Sequence, residues 1–340
     1  MKVAFYGLEG WEYEIYERRF EGKPISVIRH EREKAMLDPS DLESVKEAEI
    51  LSIRAGSVAN RKVIDSLPNL KMIATRTTGY DNIDLACAKE KGIAAVNVPS
   101  YGEETVAEYT FALILTLSRK LFPTYRRTLL GHFQQQELRG FDLEGKTLGV
   151  VGTGRIASRV IRMAHACNMK IVGYDPYPNK ELVEKYGITY VELDELLKSA
   201  DIVTIHVPYM KATHHLFNAE KLKLMKKGAC LINAARGPIV DISALREAVK
   251  AGNLGGVALD TFEGETVWIK EEEILEKADL PEAQTFKQAL ESFFLLNYPD
   301  VVLTPHNAFN THEAVRRILD SNLDCIVAFA ETGNCSCRVV

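Results

Sequence analysis

The chain has 340 residues, 46% hydrophobic and 26% charged, which is long for one domain, comfortable for two, and unlike a disordered polymer. A formal net charge of −5 at pH 7 argues against a general nucleic-acid binder or a basic membrane-surface protein, and no apolar run approaches the roughly 18 residues of a membrane span. Of the six cysteines, Cys87, Cys167, Cys230 and Cys325 fall on apolar helix or strand patterns, and the opening Met-Lys-Val-Ala-Phe-Tyr-Gly lacks the apolar stretch of a signal peptide, so a reducing, cytoplasmic setting is expected.

Short apolar strands alternate with amphipathic helices. The first strands are expected at residues 2–6, 25–29, 50–53, 72–74 and 94–97. A long apolar helix follows at 103–121, carrying Val106, Tyr109, Phe111, Leu113, Ile114 and Leu117; it must be covered on most sides, by its own domain, a second domain or a second subunit. Strands resume at 147–151, 171–174, 202–206, 230–233, 256–259 and 301–304. Many are apolar at successive positions, as strands buried on both faces are. Between them run helical stripes, one of Ile156, Val160, Met163, Ala164 and Cys167, another of Leu193, Leu196 and Leu197. Residues 266–299 interrupt the rhythm with Trp268, Ile269, Phe286, Phe293 and Phe294 among charges, too long a stretch for a plain loop. A final helix is expected near 311–330. The alternation predicts an α/β protein of doubly wound parallel sheets.

The segment from Thr147 through Gly152-Thr153-Gly154-Arg155-Ile156-Ala157 runs from a buried strand straight into an amphipathic helix and fits G-x-G-x-x-G/A. Gly152 permits the tight turn, Gly154 lets a pyrophosphate approach the backbone, and Ala157 lets helix and strand pack closely. The next strand ends in Asp175, the acid expected about twenty residues on to accept the ribose hydroxyls and repel a 2′-phosphate, which selects NAD over NADP. No phosphate-binding loop of the G-x-x-x-x-G-K-[ST] type occurs, so nucleotide hydrolysis is a poor reading.

Ligands of parallel α/β sheets bind outside the carboxyl ends of the strands. Arg236 follows the strand ending at Asn233, Asp260 and Glu265 follow the strand ending at Leu259, and His306 follows the strand ending at Thr304. Arg236 can hold a carboxylate in a bidentate pair. A protonated His306 can give a proton to a carbonyl oxygen as it becomes an alkoxide, with Glu265 orienting the imidazole. With a nicotinamide as hydride donor, that set reduces a 2-keto acid to a 2-hydroxy acid, and reverses it. His165, His214 and His215 lack a paired acid in the sequence and read as solvated or capping residues. Cys335-x-Cys337 lacks a second Cys/His pair, so no metal site is expected and the tail reads as solvent-exposed.

The strings Gly152 to Ala157, Asn233-Ala-Ala-Arg-Gly237 with Val240-Asp241, Leu259-Asp-Thr-Phe-Glu-Gly-Glu265 and Thr304-Pro-His306 resemble the D-isomer-specific 2-hydroxyacid dehydrogenases, as do Thr78-Gly79-Tyr80-Asp81-Asn82-Ile83-Asp84 and Asn97-Val-Pro-Ser-Tyr101. The resemblance covers nearly the whole chain. It implies a flavodoxin-like catalytic domain of residues 1–100 plus 302–340 and a Rossmann NAD domain of 101–301. The helix after Tyr101 would help build the family's usual homodimer. It also implies that Arg236 binds substrate, His306 is the acid/base and Glu265 its partner. Thr78 and Gly79 would cradle the substrate carboxylate, and Tyr101 and Phe309 would lie near the substrate. The cofactor residues would be Gly152, Thr153, Gly154, Arg155, Ile156, Asp175, Val207, Pro208, Thr213, Ala234, Ala235, Arg236 and Asp260.

Arg54 ends the third strand, where lactate-type members often present an apolar or aromatic side chain. An arginine there resembles the (R)-2-hydroxyglutarate dehydrogenases of the family, a likeness strengthened by Ala59-Asn-Arg-Lys62 and Ala330-Glu-Thr-Gly-Asn-Cys335. A buried guanidinium facing the substrate would want an anion, which 2-oxoglutarate supplies. The alternatives are a lactate-, phenyllactate- or branched-chain-specific enzyme, or an NAD-sensing regulator like the family's transcriptional corepressors, a reading that the presence of Arg236, Glu265 and His306 disfavours.

Overall fold

A computed structural model describes residues 1–28, 39–54, 56–269 and 282–340. The chain divides into two compact units, Met1–Tyr101 with Thr311–Val340, and Gly102–Asn310.

The first unit contains β1 (Lys2–Phe5), α1 (Gly10–Phe20), β2 (Ser26–Ile28), β3 (Ile50–Ile53), α2 (Arg61–Asp65), β4 (Met72–Thr75), α3 (Leu85–Glu90) and β5 (Ala94–Val96). All pairs are parallel, in the order β2-β1-β3-β4-β5, the doubly wound order of flavodoxin-like sheets. Side chains alternate across the sheet. Ala4, Leu51, Ile53, Ile73 and Ala95 pack with Val63, Ile64, Cys87 and Ala88 of α2 and α3. Val3, Phe5, Ile50, Met72 and Val96 pack with Tyr16 and Phe20 of α1. Both faces are covered, which explains the unbroken apolar runs.

The second unit contains α4 (Glu103–Ser118), α5 (Leu121–Leu129), β6 (Thr147–Val151), α6 (Arg155–Ala166), β7 (Lys170–Tyr174), α7 (Lys180–Tyr186), β8 (Thr189–Tyr190), α8 (Leu193–Ser199), β9 (Ile202–Ile205), α9 (Ala219–Leu224), β10 (Ala229–Asn233), α10 (Ile242–Lys250), β11 (Leu254–Leu259), α11 (Glu265–Ile269), α12 (Ala283–Leu295) and β12 (Val301–Leu303). Its parallel sheet has the order β12-β11-β10-β9-β6-β7-β8, so the chain reverses direction across the sheet between β6 and β9. That switch point is where open α/β sheets hold ligands.

The chain then returns to the first unit as α13 (His312–Thr332), whose Thr311 side chain caps its start and whose Gly333 ends it in a left-handed turn at φ 74°. Leu319, Leu323, Cys325, Ile326 and Phe329 bury against the sheet. Polar groups fix its register: Tyr16 and Ser52 each donate to Asn322 Oδ1 at 3.1 Å, and Arg76 donates to Ser52 Oγ at 3.0 Å and to the carbonyls of Tyr6 and Gly7 at 2.6 and 2.9 Å.

Several elements differ from the sequence reading. Residues 302–310, assigned above to the first domain, run with the second unit because β12 pairs with β11. β8 escapes the pattern because it is only two residues long. The expected helix 103–121 breaks at Lys120, which is left-handed at φ 50°. Its first part, α4, packs within its own unit on α6, β10 and β11; α5 buries none of its residues. In segment 266–299 the described parts are α11 and α12, and residues 270–281 lie outside the described residues, as do Arg29 and Ala55. Cys167 is half-buried where the reading made it core. The C-terminal tail is not a free end: Arg338 pairs antiparallel with Val96, and Val339 N–H donates to Ala95 O at 2.8 Å, so the tail covers the β5 edge. Among the described residues no helix is long and apolar enough to cross a membrane, and none of the His, Cys, Asp and Glu residues group to hold a metal.

Candidate active site

The glycine-rich turn sits at the end of β6, on the switch point. Gly152 has φ 88°, and a Cβ there would stand 2.8 Å from the His206 carbonyl carbon and the Val207 nitrogen, so glycine is required twice over. Gly154 caps α6, and a Cβ added there would meet nothing within 4 Å. The space above it is bounded by the first N–H groups of a twelve-residue helix, which lack intrahelical partners. Ala157 is fully buried. This cradle fits the pyrophosphate of a dinucleotide.

Asp175 stands at the end of the adjoining strand. Its Oδ2 accepts from Thr153 N–H at 2.7 Å and Thr153 Oγ1–H at 3.0 Å, and its Oδ1 accepts from Tyr177 N–H at 2.8 Å. Tyr190, which the sequence reading did not single out, donates its hydroxyl to Thr153 Oγ1 at 2.9 Å. The carboxylate is therefore fixed against the glycine turn. Arg155 is exposed and pairs with Glu103 at 3.3 Å, and Ile156 packs on the core under β6. Val207 is buried and Pro208 exposed; Thr213 donates to Pro208 O at 2.8 Å and accepts from Met210 N–H at 2.9 Å, closing that loop.

Asn233 shapes the turn after β10: its Oδ1 accepts from Ala235 N–H at 3.0 Å and its Nδ2 donates to Arg236 O at 3.0 Å, which sets Ala234, Ala235 and Arg236 on the rim. Arg236 is half-buried and extended at φ −147°, with Nη1 donating to Ala235 O at 2.9 Å.

His306 adopts φ 52°, an uncommon conformation for a residue with a Cβ. Its Nδ1 lies 3.3 Å from Glu265 Oε1, while Glu265 Oε2 accepts from Phe262 N–H at 3.3 Å. Both side chains remain about a quarter exposed, at 26% and 22%. The structure thus brings together His306 and Glu265, the two side chains that the sequence reading paired. Phe309 follows on the same loop, partly buried.

Asp260 holds that loop in place. It is fully buried; Oδ1 accepts from Thr304 Oγ1–H at 2.6 Å and Asn307 N–H at 2.8 Å, Oδ2 from Ala308 N–H at 2.9 Å, and its carbonyl from His306 N–H at 2.9 Å. The sequence reading gave Asp260 a cofactor contact; its carboxylate is turned onto residues 304–308.

One histidine also departs from the reading. His215 does have acidic neighbours: its Nε2 lies 2.9 Å from Glu263 Oε1 and its Nδ1 4.0 Å from Asp241. Glu263 is buried, and its Oε2 accepts from Ile242 N–H at the start of α10, a role invisible in sequence because the partners are distant along the chain. His206 at the end of β9, to which the sequence reading gave no role, is partly buried, and desolvation pushes its imidazole down to about 4 and leaves it neutral near pH 7.

The remaining candidates lie in the first unit. Around Thr78 and Gly79, Thr77 Oγ1 donates to Gly79 O at 2.5 Å, Thr78 Oγ1 to Val98 O at 3.1 Å and Asn97 Nδ2 to Thr78 O at 2.7 Å, a turn fixed through its carbonyls. Tyr101 O accepts from Arg317 Nε at 2.6 Å. Arg54 is exposed rather than buried as the sequence reading had it; its stem lies along Gly7, and Nη1 donates to Gly7 O at 3.1 Å. Glu12, across the chain but close in space, feels the positive charge of both Arg76 and Arg54, though burial is the larger influence and raises its carboxyl above the usual range.

Residues 111–308 match the family described as D-isomer specific 2-hydroxyacid dehydrogenase, NAD binding domain. The chain is 34% identical over 342 residues to 2-hydroxyacid dehydrogenase homolog 1 of Schizosaccharomyces pombe, covering 98% of each. It is 37% identical over 303 residues to an aromatic 2-oxoacid reductase of Clostridium sporogenes, covering 87% of each. It superposes on the D-lactate dehydrogenase of Aquifex aeolicus, solved with NAD and lactic acid, with a TM-score of 0.87 and 34% identity over 99% of both chains. The glycine cradle, the carboxylate at Asp175 and these likenesses agree: the chain belongs to the D-isomer-specific 2-hydroxyacid dehydrogenases, a family whose cofactor is NAD.

Proposed function

We propose that this chain interconverts a 2-keto acid and its D-2-hydroxy acid, with Arg236, Glu265 and His306 as the working side chains. NAD, when bound at the glycine cradle, supplies or accepts the hydride. Arg236 pairs with the substrate carboxylate through two guanidinium N–H groups and sets the carbonyl beside His306. With Nδ1 engaged by Glu265, the other ring nitrogen of His306 carries the proton. It donates to the carbonyl oxygen during reduction and takes the proton from the hydroxyl during oxidation. Glu265 holds the ring and offsets its charge when protonated. The contact between His306 and Glu265, 3.3 Å apart, is the observation that carries this reading.

For the substrate we propose a five-carbon dicarboxylate such as 2-oxoglutarate, with Thr78 and Gly79 of the first unit serving the C1 carboxylate and Arg54 the distal one. Its exposed guanidinium at the carboxyl end of β3 supports this. The relatives favour a second reading, a monocarboxylic or aromatic 2-keto acid. A panel of keto acids assayed with NADH separates them. A charge-assisted contact is worth roughly 1.5–3 kcal/mol, so 2-oxoglutarate should exceed 2-oxobutyrate about 10–150-fold in kcat/KM and Arg54→Leu should erase most of that. Faster reduction of pyruvate or phenylpyruvate by the wild type would reject the dicarboxylate.

The active form we propose is a homodimer in the reducing cytoplasm, a setting that the six free thiols support. The face supporting it is α5 and the turn beyond, where Leu121, Phe122, Tyr125, Leu129, Leu130 and Phe133 are each at least half exposed (50–76%), an apolar patch of the kind that marks subunit contacts. Phe122→Asp with Leu129→Asp should sediment as a monomer where the wild type sediments as a dimer.

A further inference from the structure

Three thiols meet in the first unit, and hydride transfer uses none of them. Cys325 is buried on the sheet-facing side of α13, 3% exposed. Cys335 and Cys337, in the tail just past Gly333, pack on the same apolar cluster and remain partly exposed. The tail is held there by its own bonds: Thr332 Oγ1 donates to Asn334 O at 2.9 Å, Asn97 N–H to Cys337 O at 3.3 Å, and Val339 N–H to Ala95 O at 2.8 Å. Cys335 and Cys337 are hydrogen-bonding neighbours of the Cys325 thiol. The bond from Cys325 holds the Cys335 thiol down to about 7, aided by the Cys337 N–H and the Arg338 charge and opposed by partial burial. The same bond, with burial, pushes Cys325 well up. Cys325 is shut off from solvent while Cys335 is partly exposed, so Cys335 is the sulfur that an oxidant reaches first.

We propose that Cys335 is a peroxide-reactive thiol and Cys325 its resolving partner, so that oxidation staples the C-terminal tail to α13. The oxidant is a hydroperoxide. The Cys335 thiolate attacks one peroxide oxygen; the S–O bond forms, the O–O bond breaks, and the departing oxygen leaves as alcohol or water after taking a proton. The Cys325 sulfur then displaces hydroxide from the Cys335 sulfenic acid, and the Cys325 proton leaves with it as water. The two thiols lose two electrons and the hydroperoxide gains them. The staple acts on the candidate substrate segment through short links, since Cys337 O accepts from Asn97 N–H and Asn97 Nδ2 donates to Thr78 O at 2.7 Å.

The test treats the full-length reduced protein with hydrogen peroxide at pH 7 and maps the products by mass spectrometry without reductant. A Cys325–Cys335 link that dithiothreitol reverses is expected. It should persist in Cys337→Ser and vanish in Cys335→Ser. In Cys325→Ser, Cys335 should stop at the sulfenic acid and be trapped by dimedone. In the reduced wild type, iodoacetamide should label Cys335 roughly tenfold faster than half-buried Cys167. Labelling of Cys335 no faster than Cys167, a link from Cys335 to Cys337 in place of Cys325, or no link at all would overturn the proposal. The readout is covalent mass, so it stands apart from the substrate question.

Discussion

Replacing Asp260 by Asn tests whether the His306 loop is held from beneath. The buried carboxylate accepts three hydrogen bonds from residues 304–308, two on Oδ1 and one on Oδ2. An asparagine has one acceptor oxygen. Placed at Oδ1, it turns its amide N–H₂ toward the Ala308 N–H; placed at Oδ2, it faces the Thr304 and Asn307 donors. Either way a donor meets a donor, and at least one charge-assisted bond, worth roughly 1.5–3 kcal/mol, is lost. The loop carries His306 at φ 52°, a conformation that surrounding bonds must maintain. Loosening it shifts the ring away from its working position, and misplacement of about 1 Å can cost 10²-fold, so kcat should fall about 10–10²-fold. Steady-state kinetics with NADH and the best keto acid of the panel check this, with thermal melting to confirm folding. Unchanged KM for NADH is part of the expectation, because the carboxylate acts on the loop. Wild-type kcat with a raised KM for NADH would show that Asp260 serves the cofactor and does not position His306.

Two further predictions follow from groups the structure fixes. Asp175, clamped by Thr153 and Tyr177, presents a fixed negative charge to a 2′-phosphate, so NADH should be strongly preferred and Asp175→Ser should narrow the preference by raising kcat/KM for NADPH; equal use of both cofactors by the wild type would contradict it. His206 is held neutral by burial, with its imidazole down to about 4 against 6.5 unperturbed. The folded state therefore binds fewer protons than the unfolded one between these values. Its stabilising effect is intact above pH 6.5 and is lost as pH falls toward 4, at up to about 1.4 kcal/mol per pH unit. Melting temperatures measured across that window should fall less steeply for His206→Gln than for the wild type; identical slopes would rule out His206 as a source.

Much of this molecule was legible in its sequence because both sheets are parallel and buried, so their strands announce themselves as apolar runs. The glycine turn was legible because its spacing serves backbone geometry. His306 and Glu265 were readable as candidates because each lies in the segment that leaves the carboxyl end of a strand, His306 after β12 and Glu265 after β11. The misses share a cause: they depend on partners far apart in the chain. The Glu263–His215 pair, the burial of His206 and the docking of the tail on β5 have no local signature. β8 is too short to show a period. The burial of Arg54 was misjudged, because a strand-end position does not say how much of a long side chain the fold covers; here the stem lies along Gly7 and the residue is exposed.

The central claim is that His306 moves the proton that accompanies hydride transfer. The most direct measurement is the pH dependence of kcat in both directions for the wild type and for His306→Gln. The wild type should reduce the keto acid faster at low pH and oxidise the hydroxy acid faster at high pH, while the variant loses about 10²–10⁴-fold in kcat and both trends flatten. Wild-type turnover in His306→Gln, or opposed pH trends that survive in it, would contradict the account.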